Sequence, residues 1–364
     1  MMKYSTTNDR VTTFGPVEAN AREQLDRCLA VSGDDARGVL CADHHKGYGM
    51  PIGGVIASKD VVMPAGVGYD IACGNCAVKT NVQADDVDVS RVMDEVWQVI
   101  SFGMGRNNDE RIDAHPVFDG ILASSIKEQR LMLQLARNQL GTVGSGNHYV
   151  DLFRDRADGA LWVGVHFGAR GFGHKTACGF LALAENKDWD ARVADHMDAV
   201  PTTIPIHSPL GQDYLEAMCI AGEYAYAGRN WVVDRVMRIV GATETLRVHN
   251  HHNFAWFEPG PDGERWLVVR KGATPAYPGQ CGFIGASMGE DAVIVEGVKH
   301  PDARAAFYST VHGAGRVMGR RQAAGVTKIR KRWVCGQRDC DGTLPSGVSG
   351  IAGANPRCPT CDSK

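Results

Sequence analysis

The chain has no long apolar run and little net charge. Its 364 residues contain 39 Lys and Arg against 42 Asp and Glu, a formal net charge of −3 at pH 7. No segment stays apolar over the roughly 20 residues that a membrane-spanning helix needs, and the amino-terminal residues lack the apolar stretch of a secretion signal. Because the whole chain is nearly neutral, any contact with nucleic acid must come from a local patch. We therefore expect a cytoplasmic protein with no membrane partner.

Cysteine occurs in an odd number, eleven, scattered along the chain and mostly unpaired in spacing. Structural disulfides use cysteines in pairs and belong to oxidising compartments. We therefore expect reduced thiols, in keeping with a cytosolic setting. The 44% hydrophobic content of a chain this long is enough for a large core, in one big domain or two.

Helical periodicity and apolar runs follow one another irregularly, without an internal repeat. Helices are predicted over residues 16–30, 88–101, 126–140 and 212–240, and strands around 55–56, 61–63, 161–165, 265–270 and 292–296. The strands come in groups between helices and not in strict alternation with them. This order favours an α+β fold over a doubly wound parallel sheet.

The most informative polar stretch is His312–Arg316 (HGAGR), with Arg320 four residues further on. Glycines on both sides of Ala314 let the backbone approach a bulky anion, and arginine guanidinium groups match phosphate oxygens. A neutral imidazole held there is a candidate nucleophile toward phosphorus. A structural histidine in a glycine turn explains this motif alone equally well.

Four further segments rich in glycine or histidine interrupt the predicted elements: residues 64–74, 141–148, 165–174 and 249–254. In the first, Asp70 and Cys73 are close enough in sequence to reach one cation or two neighbouring cations. Cys76 forms a Cys-x-x-Cys pair with Cys73, which offers a zinc or redox alternative. One such histidine or cysteine alone would more often be structural. Together, imidazole, carboxylate and a single thiolate predict a centre for a borderline divalent ion such as Mn²⁺ or Zn²⁺.

These segments, in this order, resemble the RtcB family of RNA-splicing ligases, and the likeness runs from about residue 16 to residue 324. It includes three more stretches, residues 43–49 (DHHKGYG), 208–214 (SPLGQDY) and 270–274 (RKGAT), and the run Ser287–Gly289. The resemblance implies mixed or antiparallel sheets that surround a central metal-containing cleft and are flanked by helices. We expect a catalytic domain over residues 1–327 and a separate tail over residues 328–364.

The resemblance implies a role for each matching residue. Two Mn²⁺ ions, bridged by Cys73, would be bound by Asp70, Cys73, His148, His166 and His252. His312 falls on the histidine that GTP guanylylates. Nucleotide or phosphate contacts are implied for Asn147, Asp151, Asn253, Lys271, Ser287 and Arg316, and contacts with the RNA end for Arg170 and Arg320.

The implied reaction is the GTP-dependent joining of RNA ends. A 2′,3′-cyclic phosphate is first opened to a 3′-phosphate, and GTP transfers its guanylyl group to His312 with loss of pyrophosphate. The guanylyl group then passes to the RNA 3′-phosphate, and an incoming 5′-hydroxyl displaces GMP and seals the strand. The implied partners are RNA with these ends, GTP and an archease-like activator.

Two features depart from the family pattern. Asp151 stands where the family has a glutamate for the guanine edge, so the carboxylate is one methylene shorter. The family ends in a Lys-Gly pair, whereas this chain ends in a glycine-rich tail with four cysteines: Cys335, Cys340, Cys358 and Cys361. The second cysteine pair has zinc-knuckle spacing, and the basic run Lys328–Arg332 precedes the tail cysteines. We predict a small zinc ribbon there, with a flexible reduced tail as the alternative.

Two other functions are compatible with these departures. One is a metal-dependent phosphoesterase that acts on RNA ends but does not ligate, because base recognition was lost. The other is a non-catalytic RNA-binding relic of the ligase fold, with the tail as its working part. The complete set of expected ligands, together with His312, favours the ligase.

Overall fold

The computed structural model describes residues 5–8, 10–109, 111–193, 200–260, 262–286, 289–313, 333–334, 343–344 and 361. The chain separates into two units, Met1–Gly315 and Arg316–Lys364. The domain boundary predicted after residue 327 falls outside the described residues, so it stays a prediction.

Helices and strands alternate in groups along the described residues. The helices are α1 (Ala19–Ala30), α2 (Pro64–Val67), α3 (Val89–Val99), α4 (Pro116–Ala123), α5 (Lys127–Leu131), α6 (Leu133–Gln139), α7 (Arg170–Ala184), α8 (Pro209–Val240) and α9 (Pro301–Ala305). The strands are β1 (Ser5–Asn8), β2 (Val11–Thr13), β3 (Arg37–His45), β4 (Ile52–Ser58), β5 (Val61–Val62), β6 (Gly74–Gln83), β7 (Tyr149–Arg154), β8 (Ala160–Phe167), β9 (Ile204–Pro205), β10 (Glu244–His251), β11 (Asn253–Pro259), β12 (Arg265–Lys271), β13 (Ala273–Pro275), β14 (Cys281–Ile284), β15 (Val293–Glu296), β16 (Ser309–Val311), β17 (Trp333–Val334) and β18 (Thr343–Leu344).

Two larger sheets organise the first unit. One has six strands in the order β1-β2-β3-β4-β12-β11, and the other has four in the order β10-β6-β8-β7. Within the six-stranded sheet β2 and β3 are parallel, whereas every pair of the four-stranded sheet is antiparallel. The predicted α+β class with mixed and antiparallel sheets is therefore confirmed.

The long helix α8 packs on both sheets. Its apolar side chains from Tyr214 to Ala225 belong to a core that includes β4, β12 and α7. Further along, Val232, Val233 and Val236 pack against Val163 and Val165 of β8 in a second core. The helix begins where the Ser208 side chain accepts a hydrogen bond from the Gly211 amide and ends at left-handed Gly241, the predicted C-terminal end. In the part of the chain that the structure describes, neither α8 nor any other helix is long and apolar enough to cross a membrane.

The helix predicted over residues 212–240 begins three residues earlier, at Pro209, and two other predicted helices differ for reasons that the structure shows. The first starts at Ala19 and not at residue 16, because Glu18 is extended and its backbone N–H donates to His44 Nε2 at 3.0 Å. The helix predicted over residues 126–140 is two helices, α5 and α6, which meet at Met132, where ψ is 4°. Buried Gln129 ties α5 to α8 through a 2.9 Å hydrogen bond to the Ala217 carbonyl oxygen. Beyond the turn at Met132, α6 packs on α7.

One end of each sheet faces the same region. In the four-stranded sheet, Gly74 at the start of β6 pairs with His251 at the end of β10 and with Phe167 at the end of β8. In the six-stranded sheet, β11 starts at Asn253, which pairs with Lys271 at the end of β12. His252 is the residue between β10 and β11, so it joins the two sheets. The polar side chains at these strand ends are therefore brought together by strand pairing.

Candidate metal centre

The predicted ligands lie at the ends of the strands that meet at this junction. Cys73 immediately precedes β6, His148 immediately precedes β7, and His166 is the last residue but one of β8. Since β7 pairs with β8 and β8 with β6, strand register alone brings these segments side by side. His252 is held beside them by a 2.8 Å hydrogen bond from its backbone N–H to the Cys73 carbonyl oxygen.

Three ligand atoms converge closely enough for one cation. Cys73 Sγ lies 3.4 Å from His166 Nε2 and 3.7 Å from His148 Nε2. The ligand atoms of these three residues all lie within 4.8 Å of one another. Asp70 Oδ2 approaches His148 Nε2 to 3.0 Å, yet this buried oxygen has no properly angled hydrogen bond from a described residue. Thiol, imidazole and carboxylate ligand atoms packed this closely fit a metal ion.

The protonation states suit metal binding. Burial lowers the pKa of both His166 and His252 well below the usual range, so both rings are neutral at pH 7. Burial raises the pKa of Asp70, but contact with His148 and the charge of Arg170 outweigh it and lower the pKa to about 2. Burial, and then Asp70, raise the pKa of Cys73, whose thiolate forms on binding a metal.

Outer contacts orient two of the imidazoles. His166 Nδ1 lies 2.5 Å from Asn75 Oδ1, and His148 Nδ1 lies 2.9 Å from the Val143 carbonyl oxygen. The Asn75 oxygen keeps the proton of His166 on Nδ1, so Nε2 of this ring turns its lone pair toward the centre. Sequence reasoning missed Asn75, since an asparagine inside a strand carries no motif.

A buried guanidinium, also missed by sequence reasoning, supports the ligand segments. Arg229 of α8 is fully buried and donates to the carbonyl oxygens of Ala72 (2.9 Å) and Phe167 (2.6 Å). These two residues are neighbours of Cys73 and His166 in sequence. Arg229 also lies 2.8 Å from His249 Nε2 and 2.9 Å from His251 Nδ1. The sequence could have drawn attention to Arg229, because it is a charged residue on the otherwise apolar face of a predicted helix.

His312 lies beside the ligand cluster. Its ring centroid is 4.9 Å from that of His252, which is in turn 5.0 Å from that of His166. His312 Nδ1 lies 2.8 Å from Asp43 Oδ2, which is close enough for an ion pair. The angle between the two groups does not meet the geometry of a hydrogen bond. The same oxygen accepts the His312 backbone N–H at 3.2 Å. Gly272 has a φ of +62°, and a Cβ there would approach His312 Cε1 to 3.0 Å, so glycine makes room for the ring.

Two further predicted residues touch the ligands. Asn147 Nδ2 lies 3.2 Å from His166 Nε2, and Arg170 Nη1 lies 3.1 Å from His148 Nδ1. Arg170 has a φ of +54°, a conformation that non-glycine residues rarely adopt and that is concentrated at functional sites. The predicted contact of Arg170 with the RNA end stays a prediction.

Three predicted residues lie around the cluster. Lys271 donates to the carbonyl oxygens of Tyr48 and Ala65, and Asn253 Oδ1 accepts the Gly272 amide at 2.8 Å. Both therefore brace the backbone of the six-stranded sheet next to His312. Asp151 lies on β7, where burial raises its pKa, and it borders a cavity of about 790 Å³. Their predicted contacts with phosphate or nucleotide stay predictions.

Some predicted residues cannot be compared with the structure. Those outside the described residues are Ser287, Arg316, Arg320, Cys335, Cys340 and Cys358. Of the tail cysteines Cys361 is described, and it is exposed. The alternative in which Cys76 pairs with Cys73 at a metal is wrong for the observed cluster, because Cys76 is buried in the core with Val78 and Val165.

The fold and the cluster define a mixed α/β protein with a buried thiolate and imidazole metal site beside a further histidine. The sequence profile described as "tRNA-splicing ligase RtcB" matches residues 24–335. Among curated proteins, the chain is 30% identical to "tRNA-splicing ligase RtcB" of Pyrobaculum aerophilum, over 78% of this chain and 74% of that protein. It is 30% identical to "RNA-splicing ligase RtcB" of Escherichia coli (85% and 80%) and 31% identical to that of Mycobacterium tuberculosis (78% and 80%).

The protein belongs to the RtcB family of tRNA-splicing ligases. The resemblance inferred from the residues is confirmed, and the family match covers every predicted metal ligand as well as His312.

Replacement of Cys73 tests the metal centre. We expect Cys73→Ser to weaken Mn²⁺ binding by at least the roughly 10- to 100-fold that loss of an outer ligand contact costs, because a hydroxyl is a poorer ligand than a thiolate. Titration calorimetry of the metal-free protein with MnCl₂ measures the affinity. Cys219→Ser, at an exposed cysteine of α8, is the matched control. Equal Mn²⁺ affinity and stoichiometry in both variants would remove Cys73 from the site.

Proposed function

We propose that the protein is a GTP- and Mn²⁺-dependent RNA ligase. It would join an RNA 2′,3′-cyclic phosphate or 3′-phosphate end to a 5′-hydroxyl end through guanylylated His312. The observation that carries this proposal is the adjacency of His312 to the ligand cluster, with Asp43 at the His312 ring nitrogen Nδ1. Membership of the RtcB family supports the reaction class.

The ligand types at the centre fit Mn²⁺, and this proposal has Asp70, Cys73, His148, His166 and His252 hold two such ions. The crowded ligand atoms around Cys73 Sγ, with an Asp70 oxygen unpartnered among the described residues, support a metal ion at this centre. When bound, such ions stabilise the charge on the attacking and leaving oxygens at phosphorus.

His312 acts as the nucleophile in this proposal. Asp43 keeps the proton on Nδ1, which leaves the lone pair of Nε2 for attack on the α-phosphorus of GTP. A nitrogen–phosphorus bond forms, and the oxygen–phosphorus bond to pyrophosphate breaks. Gly272 permits this placement of the ring, because a side chain there would displace it.

The later steps use charges that surround the cluster. The RNA 3′-phosphate displaces His312 from the guanylyl phosphorus, and a 5′-hydroxyl then displaces GMP from the RNA phosphate. Arg170, whose guanidinium lies beside His148, neutralises the incoming RNA phosphate. Asn147 and Lys271 support the phosphate side of the nucleotide. Asp151 receives the guanine edge, at the border of the 790 Å³ cavity.

Further proposed contacts rest on sequence alone. Ser287 and Arg316 would contact the nucleotide, Asn253 the phosphates, and Arg320 the RNA end. An archease-like activator is proposed as a partner from the family resemblance. The tail is proposed as a separate zinc ribbon held by its four cysteines: Cys335, Cys340, Cys358 and Cys361.

Labelling of His312 is the direct test of the ligase proposal. Incubation with Mn²⁺ and GTP labelled at the α-phosphate should attach one guanylyl group to the protein, and His312→Ala should abolish the label, because no other side chain is proposed to attack phosphorus. His207→Ala, at an exposed histidine, is the matched control and should keep the label.

The other candidate functions give different outcomes. Release of phosphate from cyclic RNA ends without any protein label would leave the phosphoesterase and reject the ligase. RNA binding with neither activity would leave only the non-catalytic relic. Label that persists in His312→Ala would place the nucleophile elsewhere.

Replacement of Asp43 tests how the imidazole is oriented. We expect Asp43→Asn to slow guanylylation by as much as roughly 10⁴-fold, because an amide can hold the ring in the wrong tautomer. Mn²⁺ binding should stay intact, since Asp43 contacts His312 and no proposed ligand. Rates of label incorporation measure the effect, with Asp94→Asn on the exposed face of α3 as control. A guanylylation rate equal to that of the control would remove Asp43 from this role.

Replacement of Cys358 tests the tail. We expect Cys358→Ser to lower the bound zinc from one ion per chain, because a zinc ribbon needs all four thiolates. Elemental analysis by mass spectrometry gives the stoichiometry, and guanylylation of His312 in Mn²⁺ reports the catalytic unit, which should remain active. Full retention of zinc would exclude the ribbon.

A further inference from the structure

A second cavity, of about 390 Å³, lies between the end of α3, the loop that follows it and α8. None of the residues assigned to metal, GTP or phosphate lines it. Its walls include two indoles, a phenyl ring, two guanidinium groups and three side-chain amides, and the residues used below are Trp97, Phe102, Arg106, Asn108, Trp231 and Arg235. Such a combination of flat rings with fixed donors is suited to a flat, polar-edged ligand.

The rings at the mouth form a stacking platform. Trp97 is 71% exposed, although a tryptophan is usually well buried. Its indole is nearly parallel to the Phe102 ring, with an interplanar angle of 11° and centroids 5.4 Å apart. Because Phe102 supports the inner face of the indole, the outer face is held rigidly toward solvent, where a further ring can stack.

The cationic groups give the cavity a preference for anions. The Arg235 guanidinium lies 4.3 Å from the Trp231 ring centroid. Among the described residues, neither Arg106 nor Arg235 forms an ion pair with a carboxylate, and the lining contains one carboxylate, that of Asp109. Two stacked or exposed guanidinium groups against one carboxylate leave an excess of positive charge, which complements a phosphodiester backbone.

The back wall is rigid and offers an acceptor. Gly141 has a φ of +76°, and the Trp231 ring fills the space that a Cβ at Gly141 would need, so the indole is clamped between the loop and α8. Asn108 Nδ2 donates to the Leu140 carbonyl oxygen at 2.5 Å, which fixes the amide. Asn108 Oδ1 is buried and has no hydrogen-bond donor among the described residues. A ligand amino group could supply the missing donor.

The cavity shares a backbone segment with the candidate metal centre. Phe102 forms a parallel bridge with Gly144, and the Gly103 amide donates to the Gly144 carbonyl oxygen at 2.7 Å. From Gly144 the chain runs four residues to His148, a span of at most about 14 Å. One polymer could therefore reach both the cavity and the metal ligands.

We propose that this cavity binds a nucleobase of the single-stranded RNA substrate, a few nucleotides from the end that is joined. The inference rests on the proposed function, because it takes RNA as the substrate. Stacking on Trp97, the positive charge of Arg106 and Arg235, and the orphaned Asn108 oxygen each match one part of a nucleotide: its π-face, its phosphate and its amino edge. A protein partner could pack against the Trp97 indole, but it would not supply a flat amino edge to the enclosed amide of Asn108.

Removal of the indole is the test. We expect Trp97→Ala to weaken binding of a 5′-fluorescein-labelled, single-stranded RNA with a 3′-phosphate by roughly 5- to 100-fold, the range for loss of one base stack. Fluorescence anisotropy measures the affinity. Trp97→Phe keeps a smaller π-face and should recover part of the loss. Phe257→Ala removes another exposed ring that lies against a guanidinium, that of Arg265, and serves as the matched control.

A positional readout separates stacking from a change in folding. RNA carrying one 5-iodouridine near its 3′ end should crosslink under ultraviolet light to the peptide that contains Trp97, and a 3′-terminal 5-iodouridine should not. Equal RNA affinity of Trp97→Ala and the native protein would overturn the proposal, as would crosslinks confined to other peptides. If Trp97→Ala shows no thermal unfolding transition, the variant is not folded. The RNA affinity of Trp97→Phe and the position of the crosslink then decide the proposal.

The outcomes distinguish this inference from the proposed ligase function. Guanylylation of His312 uses GTP and no RNA, so absence of label in the native protein counts against the ligase but not against the cavity. Normal labelling together with unchanged RNA affinity in Trp97→Ala counts against the cavity alone.

Discussion

The buried guanidinium of Arg229 is the interaction on which the arrangement of the metal ligands depends. Its hydrogen bonds to the Ala72 and Phe167 carbonyl oxygens join two strand ends that would otherwise leave buried acceptors unpaired. Burial lowers the pKa of Arg229, whereas the nearby acidic groups of Tyr226, Cys76, Cys73 and Asp70 act to raise it. A buried cation without a carboxylate partner at its own nitrogens is costly unless negative charge lies close. The Asp70 carboxylate, whose pKa is lowered to about 2, supplies negative charge near Arg229, so the candidate centre helps to stabilise its own support.

A second constraint on the site is that a single residue, His252, links the two sheets. His252 connects β10 of the four-stranded sheet directly to β11 of the six-stranded sheet. Its backbone amide is bonded to Cys73, and its ring lies between those of His166 and His312. Because a strand pair fixes side-chain direction residue by residue, a slip of one residue in either sheet would turn this imidazole away. The position of the proposed nucleophile His312, beside the six-stranded sheet, is thereby fixed relative to the ligands on the four-stranded sheet.

How far the sequence predicts this centre depends on how each residue is recognised. Cys73, His148 and His166 could be predicted from residue type and from the glycine-rich segments around them, and the structure brings all three together. The contacts of Asp43 and Arg229 could not be predicted, because their partners lie 269 and 157 residues away and only tertiary packing creates them; for Arg229 the sequence indicated no more than a charge on an apolar helix face. The break at Met132 was missed for a similar reason, since helical periodicity continues through it and the turn depends on contacts with α7 and α8. Side chains that bind an ion carry their own chemical signature, whereas those that orient the ligands do not.

The loop over residues 141–148 connects the wall of the second cavity with the candidate metal centre. At its start Gly141 is packed against Trp231, and at its end His148 reaches the ligand cluster. Three of its glycines have left-handed backbones, with φ of +76° at Gly141, +86° at Gly144 and +89° at Gly146. Such conformations are open to glycine at little cost, and the loop is tied to its neighbours at Ser101 and Gly103 by backbone hydrogen bonds. A base stacked on Trp97, as proposed, would bind next to a segment that is hydrogen-bonded to the loop positioning His148. In the two proposals taken together, the geometry of the metal centre and the binding of RNA therefore depend on one piece of backbone.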